Sequence, residues 1–160
     1  MTMRLLMLAL IVMVTFPAFA AGPRVVVSLK PVHGLVADVM KRVGEPYLLL
    51  TTSAQPHRPA LRPSAPRKLV QADVVFWVGG NLEGFLRKPL FNLSSVSRIV
   101  PLLRNPSLLR LKQRQGGIWE VDDLNRIKGS EFDPHIWLDP RNARMIVRQI
   151  VDVLSEIDPD

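Results

Sequence analysis

The sequence predicts an α/β protein built on a parallel β-sheet. Short β-branched apolar runs, such as residues 24–29 and 73–78, alternate with segments whose apolar residues recur at helical spacing. Within each run there is little alternation of apolar and polar residues, which is typical of strands buried on both faces of a parallel sheet. We therefore expect a Rossmann-like lobe with helices on both faces and right-handed crossovers.

Four strands are predicted, at residues 24–29, 47–51, 73–78 and 98–100. After the first strand, Pro31 stands at a plausible first helical position, and the helical pattern continues to Gly44. A proline-rich loop leads from the second strand into a short helix that carries Leu69. The third strand ends at two glycines, and a further helix is expected over residues 82–90. Glu83 could face the crevice, but the preferred interpretation is a solvated helix start.

The last predicted element is a helix with a clear start signal. Asp139 is a suitable N-cap residue and Pro140 suits the first turn. The helix carries one apolar stripe, formed by Ala143, Ile146, Val147, Ile150, Leu154 and Ile157. Before this helix, periodicity is lost over residues 101–130, which we interpret as a mobile surface loop. Trp77 and Trp137 are interpreted as packing residues.

The first twenty residues predict a secretory signal peptide. Arg4 supplies the positive charge, and the run from Leu5 to Phe16 is apolar except for Thr15. That run is shorter than the ~20 residues that span a bilayer. Small residues at positions 18 and 20 indicate cleavage after Ala20. We therefore expect residues 21–160 to form a single exported lobe.

Composition narrows the possible partners. The formal charge is +7, or +6 without Arg4, and the chain has no cysteine. A basic balance is compatible with nucleic acid or anionic lipid. However, the lysines and arginines are scattered and not interleaved with aromatic residues, and an exported protein does not meet nucleic acid. The basic residues are interpreted as a solvated surface, and no nucleic-acid partner is expected.

The chain has three histidines, His33, His57 and His135. His33 follows the first strand, His57 follows the second, and His135 precedes the last helix. In open parallel sheets, ligands bind outside the carboxyl ends of the strands, so His33 and His57 should lie at that edge. The loop before His135 could bring it there as well. Neutral imidazole suits zinc, and manganese sites combine it with carboxylates.

One segment carries a specific resemblance. Residues 133–143 match without a gap the signature D-P-H-x-W-L-D-P-x-N-A of zinc and manganese substrate-binding proteins of ABC transporters (the ZnuA-type cluster). Residues 27–33, 56–64 and 72–83 resemble the first strand, the P-H-x-x-x-L-R-P-S segment and the third strand of that family, in the same order. The resemblance covers nearly all of the chain after the signal peptide, but only the N-terminal lobe of the family.

The resemblance implies a periplasmic receptor that binds Zn²⁺, or alternatively Mn²⁺, and presents it to an ABC permease in the inner membrane. His57 and His135 correspond to family ligands, and His33 is a candidate substitute donor. The remaining ligands of the family come from a C-terminal lobe. The sequence ends where the linking helix should begin, so we expect the second lobe to be absent, or to be supplied by a separate chain.

Two departures from the family pattern bear on metal binding. Arg58 and Pro59 stand where the family usually has an acidic or polar residue and an aromatic one. A guanidinium beside a cation site opposes binding. The loop over residues 104–128 contains no histidine, so the His-rich loop of many zinc-specific members is missing.

Two other classes of function stay open. An exported scaffold or interaction domain would keep the fold without tight metal binding, and its role would survive replacement of His57 and His135. A zinc hydrolase using three histidines is disfavoured, because the chain has no His-Glu-x-x-His run and no nucleophile motif. We therefore expect a binding protein and no enzyme.

Overall fold

The computed structural model describes residues 22–50, 61–113 and 132–159. Its centre is a sheet of four parallel strands in the order β2-β1-β3-β4. The strands are β1 (Val25–Val27), β2 (Tyr47–Leu48), β3 (Val74–Trp77) and β4 (Arg98–Pro101). The predicted parallel α/β class is confirmed, although β1, β2 and β3 are shorter than the apolar runs from which they were predicted.

In the described residues, four α-helices connect and follow the strands. They are α1 (Lys30–Val39), α2 (Ala65–Val70), α3 (Arg87–Leu93) and α4 (Pro140–Ile157). Single 3₁₀ turns lie at Gly84–Leu86, Leu102–Arg104 and Ile136–Leu138. No helix in these described ranges is both long enough and apolar enough to cross a bilayer.

Helices cover both faces of the sheet, because successive strand residues point to opposite sides. Val25 and Val27 of β1 pack in a core with Val32 and Val36 of α1 and with Ile146 and Ile150 of α4. Val26, between the two β1 valines, packs in a second core with residues of α2 and α3. The same division holds along β3, where Phe76 belongs to the first core and Trp77 to the second. A run of consecutive valines therefore fills two cores at once.

The strand order reverses between β1 and β3, because β1 pairs with β2 on one side and with β3 on the other. Such a reversal opens a crevice at the carboxyl ends of the two central strands. Ser28 and Gly79 stand just after β1 and β3 at this edge, and both are buried. Gly79 has φ of +146°, a conformation that favours glycine.

The predicted loop over residues 101–130 starts later than expected. Leu102 is fully buried in the first core, and Leu108 is only 6% exposed. Asn105 Nδ2 donates to Gln149 Oε1 of α4 at 3.0 Å. The chain therefore stays attached to the fold through residue 112, which forms a β-bridge with Phe132. Residues 114–131 lie outside the described ranges, as do the predicted signal peptide and residues 51–60, which include the first half of the predicted proline-rich loop over residues 55–66.

Candidate metal centre

His135 lies between an extended segment and the 3₁₀ turn that leads into α4. Its Nδ1 atom is 2.6 Å from Asp133 Oδ1, and its backbone N–H donates to the same oxygen at 2.9 Å. Because an ionised carboxylate only accepts hydrogen bonds, Nδ1 carries the proton. The lone pair is then on Nε2, which makes no hydrogen bond to any described residue. This carboxylate–histidine arrangement orients and polarises an imidazole for metal binding through Nε2.

The surroundings leave the His135 ring accessible. The exposed fractions of the His135 and Asp133 side chains are 40% and 46%. The Trp137 ring packs edge-on against the imidazole, with 5.3 Å between ring centroids and an interplanar angle of 68°. Trp137 also packs against the first core. The aromatic ring therefore restricts the imidazole on one side while solvent reaches another.

Two further residues of the 133–143 segment fix its position. Asp139 is the N-cap of α4, as predicted, and accepts a hydrogen bond from the backbone N–H of Arg141 at 2.8 Å. The side-chain and backbone hydrogen bonds from Arg141 lower the pKa of the Asp139 carboxyl to about 2. The Asp139 carboxylate is therefore engaged in capping α4 and in the ion pair with Arg141.

Asn142 has a structural role that sequence reasoning did not find. Its Oδ1 accepts from the backbone N–H of Leu109 at 2.8 Å, and its Nδ2 donates to the Leu109 carbonyl at 2.9 Å. The residue is only 3% exposed. One buried amide thus attaches residues 105–111 to the start of α4, next to the segment that carries His135. Leu111, two residues after Leu109, makes a second link: its carbonyl accepts a hydrogen bond from the backbone N–H of Asp133 at 2.8 Å.

The other two candidate ligands are placed differently. His33 lies on α1, where its Nε2–H donates to the carbonyl of Pro46 at 2.8 Å and ties α1 to the segment before β2. That nitrogen is therefore engaged in the fold, and a ligand role for His33 stays a prediction. His57 and its neighbour Arg58 lie outside the described residues.

In the part of the chain that the structure describes, no group of three or more histidines, aspartates or glutamates is arranged to hold a metal ion. The structure brings His135 together with Asp133 and Trp137, and no described hydrogen bond joins it to His33.

The burial of Glu83 contradicts the prediction made for this residue. The sequence suggested a solvated helix start, but the residue is 0% exposed. Its Oε2 accepts from the backbone N–H groups of Val78 at 2.7 Å and Gly79 at 3.1 Å, at the carboxyl end of β3. The sequence did contain a signal for this role, namely the two glycines that follow β3. They indicate a tight turn, and the backbone N–H groups at such a turn need an acceptor.

The electrostatic environment of Glu83 is unusual for a carboxyl group. Burial is the largest influence and raises its pKa, while the Ser28 hydroxyl and the two backbone N–H groups favour the charged form without outweighing it. Glu83 Oε1 and Ser28 Oγ are both buried, and neither atom forms a hydrogen bond with a described residue. The backbone hydrogen bonds from Val78 and Gly79 therefore anchor the carboxyl group of Glu83.

These features define a class of protein: a parallel α/β lobe with a strand-order reversal and an exposed, carboxylate-oriented histidine ahead of its last helix. Comparison with known proteins identifies the family. The sequence profile described as "Zinc-uptake complex component A periplasmic" (ZnuA) matches residues 25–160. The chain belongs to this family.

Relatives and solved structures agree with that assignment. The chain is 33% identical to the high-affinity zinc uptake system protein ZnuA of Brucella abortus, over 88% of this chain and 51% of the relative. The ZnuA of Paracoccus denitrificans is 32% identical, over 90% of this chain and 51% of the relative. The chain therefore spans about half the length of the curated relatives that it matches.

Among solved structures, the Zn(II)-bound ZnuA-like domain of Streptococcus pneumoniae AdcA superposes with a TM-score of 0.66 and 26% identity, covering 87% of this chain and 46% of that one. The periplasmic zinc binding protein TroA of Treponema pallidum superposes with a TM-score of 0.69 and 20% identity, covering 86% of this chain and 45% of that one. The TroA likeness shows the fold alone.

Proposed function

We propose that this chain is the N-terminal, metal-receiving lobe of a periplasmic zinc receptor for an ABC uptake system. The observation that carries the proposal is the contact between Asp133 and His135, which favours the proton on Nδ1 and so supports Nε2 as the proposed ligand atom. His57 is the proposed second ligand, on the strength of its P-H segment. The names of the relatives support zinc as cargo, and manganese is the alternative, since a Mn-bound protein is among the structural neighbours.

Two imidazoles leave a tetrahedral ion half-coordinated. We therefore expect the isolated chain to bind zinc weakly, with a dissociation constant of roughly micromolar or above, and to need a second lobe for tight binding. A separate chain could supply that lobe, and a permease in the inner membrane would receive the metal. A receptor of this kind performs no catalysis.

Replacing Asp133 with asparagine should weaken zinc binding to the chain by about 10-fold or more. An amide holds the imidazole less firmly and polarises it less than a carboxylate does. His135→Ala should abolish zinc binding at this site, because it removes the proposed ligand itself. Isothermal titration with zinc at constant pH measures both effects.

The matched control for this titration is Asp139→Asn, which changes a nearby carboxylate that caps α4 and faces Arg141. We expect its zinc affinity to equal that of the unmodified chain. Nanomolar one-to-one binding by the isolated chain, or binding that survives His135→Ala, would overturn the proposed site.

The proposed periplasmic location requires removal of the predicted signal peptide. When the chain is expressed with its own N-terminus in a Gram-negative host, we expect periplasmic protein that begins at Ala21. Intact-mass measurement of the periplasmic fraction, together with N-terminal sequencing, determines the first residue of the exported protein. Recovery of the protein in the membrane fraction with Met1 retained would contradict export by cleavage.

A further inference from the structure

The helical layer formed by α2 and α3 carries exposed charges of one sign. Both helices pack on the same face of the sheet, through Leu69 of α2 and Leu90 of α3. Their outer surface and adjoining turns expose five basic side chains, Arg62, Arg67, Lys68, Arg87 and Lys88. We call this set, with the exposed apolar residues described next, the basic face.

Large apolar side chains project from the same layer. Val70 at the end of α2 is 64% exposed, Phe91 on α3 is 79% exposed, and Val96 after α3 is 71% exposed. These three residues lie in the segments that carry the five basic residues. Isolated exposed apolar residues are ordinary on protein surfaces, but here three of them accompany a field of positive charge.

No exposed carboxylate offsets this charge within the described part of the layer. Residues 61–72 and 84–97 contain no aspartate or glutamate. Of the two acidic residues between these ranges, Glu83 is fully buried, and Asp73, whose side chain is 35% exposed, is ion-paired with Arg24. The opposite layer is different, because α1 and α4 expose Asp38, Asp152 and Glu156 among their basic residues. Among the described residues, the exposed charge of the α2–α3 layer is therefore of one sign, whereas that of the α1–α4 layer is mixed.

A groove beside α3 opens on the basic face. It has a volume of about 580 Å³ and lies between α3 and the end of β4, with Arg87, Phe91 and Arg104 in its lining and no acidic residue. Arg87 folds over the β3–α3 turn, where its Nε donates to the Gly80 carbonyl at 3.2 Å. Guanidinium groups are well suited to phosphate oxygens.

We propose that the basic face is a docking surface for the anionic phospholipid surface of a membrane. Positive side chains near an anionic bilayer are attracted to it, and projecting apolar side chains enter the boundary between headgroups and acyl chains. An acidic protein partner is less well matched, because the charges are spread over two helices and, of the three exposed apolar side chains, only Phe91 lines the groove. The proposal does not depend on zinc, on His57 or on His135.

Vesicle flotation with the metal-free chain tests this proposal. We expect binding to vesicles of equal parts phosphatidylglycerol and phosphatidylcholine, little binding to phosphatidylcholine alone, and loss of binding as the ionic strength rises. Each neutralised basic residue should lower the partition coefficient about five-fold, so Arg87→Gln combined with Lys88→Gln should lower it roughly 25-fold. Phe91→Ser should lower it as well.

Matched variants keep the test independent of folding. Arg67→Gln with Lys68→Gln removes the same charge from α2, away from the β3–α3 turn, and should reproduce the loss. Arg144→Gln with Arg148→Gln removes it from α4 on the mixed side and should retain most of the binding. Equal loss in the α4 variant, no binding to the anionic vesicles, or tighter binding to an acidic polypeptide such as polyglutamate than to vesicles would overturn the proposal.

Discussion

Replacing Glu83 with alanine should lower the free energy of unfolding by about 3 kcal/mol. The carboxylate is the acceptor for the buried backbone N–H groups of Val78 and Gly79, and each buried donor left unsatisfied costs about 1–3 kcal/mol. Alanine also leaves a cavity beside Ser28. Denaturant titration measures the loss. Glu45→Ala, which changes an exposed glutamate, is the control and should stay within about 0.5 kcal/mol of the unmodified chain.

Glutamine at the same position should separate hydrogen bonding from charge. Burial raises the pKa of Glu83, so the folded state favours the protonated carboxyl more than the unfolded state does. The stabilising contribution is then full below the unfolded pKa of about 4.3 and is lost as the pH rises through the folded pKa. Glu83→Gln retains an acceptor for both N–H groups and cannot ionise.

The stability difference between the unmodified chain and Glu83→Gln should therefore shift toward the glutamine variant as the pH rises above about 4.3. Taking the difference removes the contributions of other carboxylates, such as Asp139. A difference that does not change with pH would show that the Glu83 carboxyl ionises normally. Stability of Glu83→Ala equal to that of Glu83→Gln would show that the backbone hydrogen bonds carry little energy.

Replacing Asn142 with alanine should lower the free energy of unfolding by about 2 kcal/mol, because it removes two part-buried hydrogen bonds made by a buried side chain and leaves both backbone groups of Leu109 without their protein partner. Thermal or denaturant unfolding gives the magnitude. Hydrogen exchange at the Leu109 amide should accelerate more than exchange in β3, since the contact holds the 105–111 segment on α4.

Asn92→Ala is the matched control, because Asn92 is exposed on α3. It should change stability by no more than about 0.5 kcal/mol. If Asn142→Ala matched Asn92→Ala and left Leu109 exchange unchanged, the buried amide would not be what holds the segment.

The sequence predicted the elements whose signals are local. The cap at Asp139 and the stripe from Ala143 to Ile157 predicted α4, which begins at Pro140 and ends at Ile157. The valines of β1 predicted a strand buried on both faces, which the two cores confirm. These signals depend on periodicity and on capping chemistry within a few residues, so tertiary structure does not need to be known.

The features that the sequence did not reveal depend on contacts between distant residues. Asn142 and Leu109 are 33 positions apart, and nothing near Leu109 shows that its backbone needs a side-chain partner. Glu83 resembles a surface glutamate until the turn after β3 brings the Val78 and Gly79 N–H groups onto its carboxylate. The basic face was interpreted as scattered charge, because only the packing of α2 beside α3 collects it on one side.

The outer edge of β4 has a consequence for behaviour outside the folded monomer. In the described sheet, β4 pairs only with β3, so its other side presents backbone groups that a strand from a second molecule could extend. Pro101 cannot donate there, and Arg98 is exposed and ion-paired with Glu156 of α4. A proline and a charged side chain thus make this edge strand a poor template for amyloid-like growth, which suits a protein proposed to be exported.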